Sequence, residues 1–381
     1  MIATAPGKLI LTGEYAVLEG APALVVAVNR RVVATRRKAP RGSSPFLIAV
    51  ADVIAAKYGA EHPATRAAME IVVDSTAFYQ GTEKLGLGSS AAVTVAATAL
   101  ALAADQRAIP VVDKVEVLAI ATAAHARAQG ERGARGSGAD IAAAVFGGVL
   151  AFQRIAPDQV AWPRDEARRG KSITIDGPYS IGVPERSSAG SLARPAERPS
   201  ATNLGATAAS PPPMSGTADK LAWPAAVHFL PFFTGMSADT ATLVSQVAAA
   251  RDRNRAAVDA ALAAIDKASR AACQACAMRS PEIASNALIA ALTLAGEGIE
   301  QLAAASSVPL IPSCVTNARL ALRAHGGTAK TTGAGGGDIG IAVIPASEDA
   351  TVARRLLREA GCLPLSLAVD QTGVDLQPDA Q

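Results

Sequence analysis

The chain has 381 residues, half of them hydrophobic and only 3% aromatic, so it is long enough for two domains with a sizeable core. Its 36 lysines and arginines against 33 aspartates and glutamates leave a formal charge of +3, too small to indicate a nucleic-acid or membrane surface. We expect no apolar run to reach the roughly 18 residues needed to span a bilayer. Residues 1–8 also lack the pattern of a signal peptide. We therefore expect a cytoplasmic protein.

In the first half of the chain, short apolar runs predict strands and alanine-rich periodic runs predict helices. The predicted strands are 9–11, 23–28, 31–35, 71–78, 149–155 and 172–175. The predicted helices are 46–58, 89–104, 113–129 and 141–145. A basic, turn-rich connection is expected at residues 36–45.

A compositional break follows at residues 187–220, which are crowded with serine, proline, alanine and glycine. Such a segment has too few large apolar side chains to order itself, and it predicts a flexible low-complexity insertion. The break divides the chain into an N-terminal domain of residues 1–186 and a C-terminal domain of residues 221–381.

The second half again mixes both kinds of element. Strands are predicted at 230–233 and 339–344, and helical patterns at 239–250, 255–275, 281–305, 312–325 and 350–360. The strands and helices do not alternate strictly as β-α-β units, which favours an α+β fold over a doubly wound parallel sheet.

The four cysteines and four histidines show no metal-binding pattern. Cys273 and Cys276 form a C-x-x-C pair inside a helical pattern, and no second pair completes a zinc site. We expect these thiols to be small buried side chains.

Three glycine-rich clusters stand at residues 5–15, 84–92 and 330–340. None contains the G-x-x-x-x-G-K-[ST] motif of P-loop enzymes, because Leu9 follows Gly7-Lys8. The third cluster does contain G-x-G-x-x-G at 335–340, but a predicted strand follows where a dinucleotide fold requires a helix.

The cluster at 84–92 indicates a phosphate site. Gly86 and Gly88 allow a tight turn, and the alanine-rich run behind them places Ser89 and Ser90 at or near a helix N-terminus. Unpaired N–H groups and a partial positive charge at such an end attract phosphate. The alternative is an ordinary helix capped by serine.

In their order and flanking residues, the three clusters together resemble the three motifs of the GHMP kinases, which include galactokinase, homoserine kinase, mevalonate kinase and phosphomevalonate kinase. Four stretches are most similar to the phosphomevalonate kinases, and these lie at 6–15, 128–140, 233–240 and 329–338. The resemblance implies a two-domain α+β GHMP fold with the site in the cleft between the domains. The N-terminal domain would resemble domain 2 of ribosomal protein S5, and the C-terminal domain would be ferredoxin-like.

The same resemblance implies roles for individual residues, with ATP and Mg²⁺ as the nucleotide and its metal. Lys8 and Asp140 would be catalytic, although a solvated lysine and a helix-capping aspartate are the plain alternatives. The ATP-binding residues would be Gly86, Leu87, Gly88, Ser89, Ser90 and Ala91, with Ser90 also reaching the metal. The substrate-binding residues would be Ser137, Lys330, Thr332, Gly333 and Ala334.

The function implied is ATP-dependent phosphorylation of 5-phosphomevalonate, with no nucleic-acid or membrane partner. Mevalonate or another small alcohol as acceptor is the first alternative, and a ligand sensor without catalysis is the second. Three departures from the family pattern bear on the acceptor: an acidic Asp239 before Thr240, extra residues at 130–135, and the insertion at 187–220. The oligomeric state stays open, with a homodimer among the alternatives.

Overall fold

A computed structural model describes residues 1–37, 44–105, 111–130, 136–155, 172–175 and 215–378. Three features discussed above therefore lie wholly or partly outside the described residues. They are the basic connection at 38–43, the extra residues at 131–135, and the predicted insertion over 187–214.

The described part of the chain contains a seven-stranded antiparallel sheet, called here the first sheet. Its strands are β1 (Ile2–Thr12), β2 (Pro22–Arg36), β3 (Ile71–Asp74), β6 (Val149–Ile155), β7 (Ser172–Ile175), β8 (Ser215–Leu221) and β13 (Asp375–Gln377). The order is β13-β1-β2-β6-β8-β7, and β3 also pairs with β2. The register of β1 against β2 shifts between Pro6 and Gly7, so an irregularity precedes Lys8 directly.

The second sheet has four antiparallel strands in the order β10-β11-β9-β12. They are β9 (Val227–Phe233), β10 (Thr328–Thr331), β11 (Ile339–Pro345) and β12 (Leu363–Pro364). A separate hairpin pairs β4 (Tyr79–Gln80) with β5 (Glu83–Lys84), just before the glycine cluster at 84–92.

Ten α-helices are described, together with three short 3₁₀ turns at Ala16–Glu19, Thr76–Phe78 and Ala103–Asp105. The helices of the first half are α1 (Pro45–Tyr58), α2 (Pro63–Ala68), α3 (Ser89–Leu102), α4 (Lys114–Gly130) and α5 (Ala139–Phe146). Those of the second half are α6 (Thr240–Arg253), α7 (Arg255–Ala277), α8 (Pro281–Ser306), α9 (Ser313–Arg323) and α10 (Ala350–Glu359).

Helix α3 lies in the middle of the first half and packs on β1, β2, α4 and α5. Nearly all of its residues are buried, which explains why its sequence shows no polar face. Its alanines, for example Ala92 and Ala96, leave little side-chain volume between the helix and the strands. The small residues of this stretch therefore let the helix approach β1, the strand that carries Lys8.

Helices α7 and α8 connect the two halves of the fold. They pack on each other, α7 also contacts β2 in the first sheet, and α8 contacts β10 in the second. Cys273 and Cys276 lie on α7, where burial raises the pKa of each thiol to about 12. Such thiols are poor nucleophiles and metal ligands, as expected for buried cysteines.

Helix α8 is long and apolar enough to span a bilayer by length and composition alone. Half of its most apolar window is buried inside the protein, and the core helix of a globular domain meets the same criterion. The expectation that no stretch is apolar enough therefore needs this correction, while the packing of α8 on α7 and β10 accounts for its composition.

The structure differs from the predicted elements where a turn interrupts a strand pattern. The strand predicted at 71–78 ends at Asp74, because the carboxylate of Asp74 accepts hydrogen bonds from the backbone N–H of Thr76 at 2.9 Å and from its hydroxyl at 2.7 Å. This local turn leads into a 3₁₀ turn instead of a longer strand.

Two strands also cross the predicted domain boundaries. β8 begins within the range predicted as an insertion and pairs with β6 in the first sheet. β13, near residue 377, returns from the second half and pairs with β1. The sheet of the N-terminal half is therefore completed by residues from both ends of the described chain.

Candidate active site

The turn before α3 has the shape that the glycine cluster predicts. Gly86 and Gly88 have φ angles of +65° and +75°, a region that side chains with a Cβ rarely occupy. Gly88 is the N-cap of α3, and no side chain caps this end of the helix. Ser89 and Ser90 instead form the first helical turn, so the alternative of an ordinary serine cap does not describe this helix. No side chain therefore competes with an anion for the N–H groups at this helix end.

Lys8 on β1 contacts this turn. Its backbone N–H donates to the carbonyl of Leu87 at 2.9 Å, which fastens β1 to the turn. A Cβ on Gly88 would stand only 2.7 Å from Cε of Lys8, so the aliphatic part of the lysine side chain fills the space that a larger residue at 88 would need. The glycine thus sets the position of the lysine as well as the turn.

Lys8 and Asp140 form an ion pair, with Nζ 3.4 Å from Oδ1. Asp140 stands in the first turn of α5, whose N-cap is Gly138 with a φ of +90°. The lysine side chain is 11% exposed and the aspartate side chain 28%, so the ion pair is largely buried but still accessible to solvent. Ser137 accepts a hydrogen bond from the backbone N–H of Ala139 at 3.2 Å, which places it at the same helix end.

His125 also belongs to this site, although the sequence search for metal spacing passed over it. Its Nε2 lies 3.1 Å from Oγ of Ser90, and its ring stacks on Phe46 with centroids 5.3 Å apart. Burial lowers the pKa of His125; the negative charge of Asp140 raises it and the positive charge of Lys8 lowers it further. The helical period of α4 was the available signal, because it places His125 on the face of buried Ala121 and Ala128.

Asp338 brings the third glycine cluster against the second. Its carboxylate packs on Gly86, where an added Cβ would be 2.6 Å from Oδ2. Its backbone carbonyl accepts from the N–H of Thr234 at 2.9 Å, and its own N–H donates to the carbonyl of Met236 at 2.6 Å. Burial raises the pKa of Asp338, while a hydrogen bond from Ala238 and the charge of Lys8 lower it.

Lys330, which the family resemblance implied as a substrate-binding residue, lies inside the protein. The side chain is 1% exposed, and Nζ donates to the carboxylate of Glu14, to the carbonyl of Leu11 at 2.8 Å and to the carbonyl of Thr331 at 2.6 Å. These contacts use all three hydrogens of the ammonium group. Lys330 in this arrangement has no donor left for a ligand.

The neighbours of Lys330 lie along the end of β1. The hydroxyl of Thr332 donates to the carbonyl of Ile339 at 2.8 Å, and the carbonyl of Ala334 accepts from the Tyr15 hydroxyl at 2.7 Å. Gly333 has a φ of +65°, and a Cβ there would meet no atom within 4 Å. There is therefore open space beside the backbone at Gly333.

Asp239 caps a helix through its side chain. It is the N-cap of α6 and accepts from the backbone N–H of Ala241 at 3.0 Å and from the hydroxyl of Thr242 at 2.8 Å. These hydrogen bonds lower the pKa of the exposed carboxyl, the bond from Thr242 most. Aspartate serves at this position as a serine would, because both residue types are strong N-caps.

The part of the chain that the structure describes holds no group of three or more His, Cys, Asp or Glu residues that could bind a metal ion. A metal at this site would therefore take most of its ligands from the bound nucleotide and from water. Mg²⁺ commonly binds in this way, with few protein oxygens and several retained waters.

Comparison with known proteins agrees with this geometry. Residues 45–148, which include the α3 turn and Asp140, match the family model of the GHMP kinases N terminal domain. The phosphomevalonate kinase of Streptomyces sp. (strain CL190) is 29% identical, and the match covers 97% of this chain and 97% of the relative.

Two solved structures show the same fold. A Lin0012 protein from Listeria innocua has a TM-score of 0.72 at 20% identity, covering 98% of this chain and 99% of that chain. The Streptococcus pneumoniae phosphomevalonate kinase, solved with phosphomevalonate and AMPPNP, has a TM-score of 0.65 at 19% identity, covering 97% and 99%. The predicted α+β GHMP kinase fold is confirmed, and so is the similarity to phosphomevalonate kinases.

Proposed function

We propose that this chain is an ATP-dependent kinase that phosphorylates 5-phosphomevalonate to 5-diphosphomevalonate in the mevalonate route to isoprenoids. The observation that carries the proposal is the Lys8–Asp140 ion pair beneath the uncapped N-terminus of α3. A cation and a carboxylate beside an anion-binding helix end are the parts that phosphoryl transfer requires. The similarity to a phosphomevalonate kinase over 97% of both chains favours this acceptor.

The nucleotide phosphates would bind at residues Gly86 to Ala91. The two glycines let the backbone approach a ligand closely, and the N–H groups at the start of α3 are directed toward it. Leu87 is buried in the protein and its carbonyl anchors Lys8, so it contributes backbone rather than side chain to this site.

Magnesium fits the residues present, because the hydroxyl of Ser90 is a hard oxygen ligand at the same helix end. When bound, Mg²⁺ would neutralise charge on the nucleotide phosphates. Ser90 would be its protein ligand, and Ser89, which is nearly buried, would support the turn.

Lys8 and Asp140 would act on the acceptor side. An oxygen of the acceptor phosphate attacks the γ-phosphorus of ATP, and the bond from that phosphorus to the β,γ-bridging oxygen breaks to release ADP. Lys8 would neutralise charge that accumulates on the transferred group. Asp140 would orient the acceptor or take its remaining proton, a smaller task for a phosphate that is already ionised than for a hydroxyl group.

The acceptor would be held by Ser137 and by the segment Thr332 to Ala334. Ser137 lies at the helix end beside Asp140, and Gly333 leaves open space next to β1. Lys330 would contribute indirectly, since its contacts to Leu11 and Thr331 hold β1 and β10 together. We place the enzyme in the cytoplasm, with small molecules as its partners. We also place the boundary between its N-terminal and C-terminal domains at residues 187–220.

The test is a coupled ADP-release assay with phosphomevalonate, mevalonate, homoserine and galactose as acceptors. Turnover with phosphomevalonate well above the others supports the proposal. Turnover with mevalonate alone would overturn the acceptor and keep the reaction. Tight binding of acceptor and nucleotide without any turnover would favour a sensor, although a sensor has no need of Lys8, Ser89, Ser90 and Asp140 together.

A further inference from the structure

A buried histidine on α4 contacts the first turn of α3, the helix proposed to bind phosphate. His125 is 4% exposed, and its Nε2 is 3.1 Å from Oγ of Ser90. Its ring is stacked on Phe46 with an interplanar angle of 24°, which limits how far it can turn. The contact with Ser90 gives the buried imidazole a polar partner, and burying it without one would cost free energy.

The direction of the Ser90–His125 hydrogen bond decides what Ser90 can do. A serine hydroxyl has one hydrogen and two lone pairs. If the hydrogen points to Nε2, the lone pairs are free to bind a cation. If Nε2–H donates instead, the hydroxyl hydrogen is free to donate to a phosphate oxygen.

We infer that His125 is a positioning residue that accepts the hydroxyl hydrogen of Ser90 and so directs the lone pairs of Ser90 Oγ toward the metal ion bound with the nucleotide. The inference rests on the proposed function, because it concerns the nucleotide site of that reaction. Residues that orient a metal ligand in this way commonly change metal affinity about 10- to 100-fold when they are replaced.

The helix turn that carries Ser90 is held in place, so the two side chains meet in a fixed geometry. The carbonyl of Ser90 accepts from the hydroxyl of Thr94 at 2.8 Å, so the backbone at this turn is held by its own helix. The neutral ring that carries its hydrogen on Nδ1 presents the lone pair of Nε2 to the hydroxyl of Ser90, and this is the form that the inference requires. Ser90 contacts His125, Lys8 pairs with Asp140, and the charges of Lys8 and Asp140 act on the His125 ring.

The test compares two neutral amides at position 125. In His125→Gln the amide oxygen can reach Ser90 and accept its hydrogen, whereas in His125→Asn the amide is too short to do so. The readout is the dissociation constant of ADP measured by calorimetry, once with Mg²⁺ and once with EDTA. This readout needs no acceptor and no turnover, so it stands even if the proposed reaction is wrong.

We expect His125→Asn to weaken Mg·ADP binding about tenfold and to leave metal-free ADP binding within about twofold. His125→Gln should stay within about threefold of the wild type in both conditions. Equal weakening with Mg²⁺ and with EDTA would overturn the inference, because Ser90 would then be a phosphate donor or His125 merely a packing residue. Unchanged Mg·ADP binding in His125→Asn would overturn it as well.

A double-substitution cycle checks that His125 acts through Ser90. In a Ser90→Ala background, His125→Asn should add less than about twofold to the loss of Mg·ADP affinity, because the interaction has already been removed. Independent effects that multiply would contradict the inference. His325→Gln is the matched control, since His325 contacts Glu348 outside the site and its replacement should leave both affinities unchanged.

Discussion

Lys330 and Glu14 form an ion pair in which the two side chains are 1% and 0% exposed. The pair links β10 in the second sheet to the turn that follows β1 in the first. Burial raises the pKa of Glu14 and lowers that of Lys330, while each partner's charge opposes the shift of the other. The second carboxylate oxygen of Glu14 is buried and has no hydrogen-bond partner. The charge of the glutamate therefore depends on this lysine.

Replacing Lys330 by methionine should destabilise the protein by about 3–5 kcal/mol, because it leaves the Glu14 carboxylate buried without a counter-charge. The double variant Glu14→Gln, Lys330→Met should be more stable than the single lysine variant. Urea unfolding measures both. Arg36→Met is the surface control and should cost less than about 1 kcal/mol, since its ion pair with Glu70 is exposed. A Lys330→Met protein of full stability with a raised KM for the acceptor would return Lys330 to the substrate site.

Lys8→Ala and Asp140→Ala should each lower kcat by at least about 100-fold, because each removes a group that we propose to act on the reacting phosphates. The dissociation constant of an ATP analogue should change by less than about threefold, since the α3 turn would remain intact. The control is Lys57→Ala, which removes a lysine that pairs with Glu116 on α4, outside the site. A near-wild-type kcat for Lys8→Ala would show that another group neutralises the acceptor side.

Gly88→Ala should abolish most activity, because the new methyl group would lie 2.7 Å from Cε of Lys8. Gly81→Ala is its matched control. Gly81 has a similar positive φ of +61°, but a Cβ there meets nothing within 4 Å. Both variants should lose about 1–2 kcal/mol of stability from backbone strain, and only Gly88→Ala should lose kcat. Equal activities would show that Lys8 can move without loss.

The stability of the protein should depend on Asp349 in acid. The N–H of Thr351 donates to its carboxylate at 2.7 Å, and this bond lowers the pKa of Asp349 in the folded state. A lowered folded-state pKa stabilises the fold above the unfolded pKa, and this contribution disappears as the pH falls through the folded pKa. Asp349→Asn cannot titrate, so the stability difference from the wild type should shrink between about pH 5 and pH 2. Thermal unfolding across this range measures it, and a constant difference would contradict the assignment.

The parts of the site that depend on local rules could be predicted from the sequence. Gly86 and Gly88 have positive φ angles, and the alanine run behind them favours a helix, so the turn before α3 follows from neighbouring residues alone. The resemblance to the GHMP kinases then implied that Lys8 and Asp140 would act at the same site, although 131 intervening positions separate them. The structure places these two side chains 3.4 Å apart.

The contacts that could not be predicted join residues with no shared local pattern. Lys330 stands beside a glycine cluster, where an exposed lysine would suit an anionic substrate, and its partner Glu14 is 316 positions away. Only the pairing of the two sheets with the intervening helices shows that this lysine is internal. His125 was missed for a related reason, because its partner Ser90 lies on another helix, 35 positions earlier.

The pairing of β7 with β8 bears on how long the stretch between these two strands can be. Ile175 pairs with Gly216. The two described residues that flank the stretch 176–214 therefore lie close together in the first sheet. A short turn could join these two positions without moving either strand, since hairpin connections need only two to five residues. The length of this stretch is therefore not constrained by the sheet that carries Lys8. Residues could be added or removed there over evolutionary time, or by design, while Lys8 keeps its place.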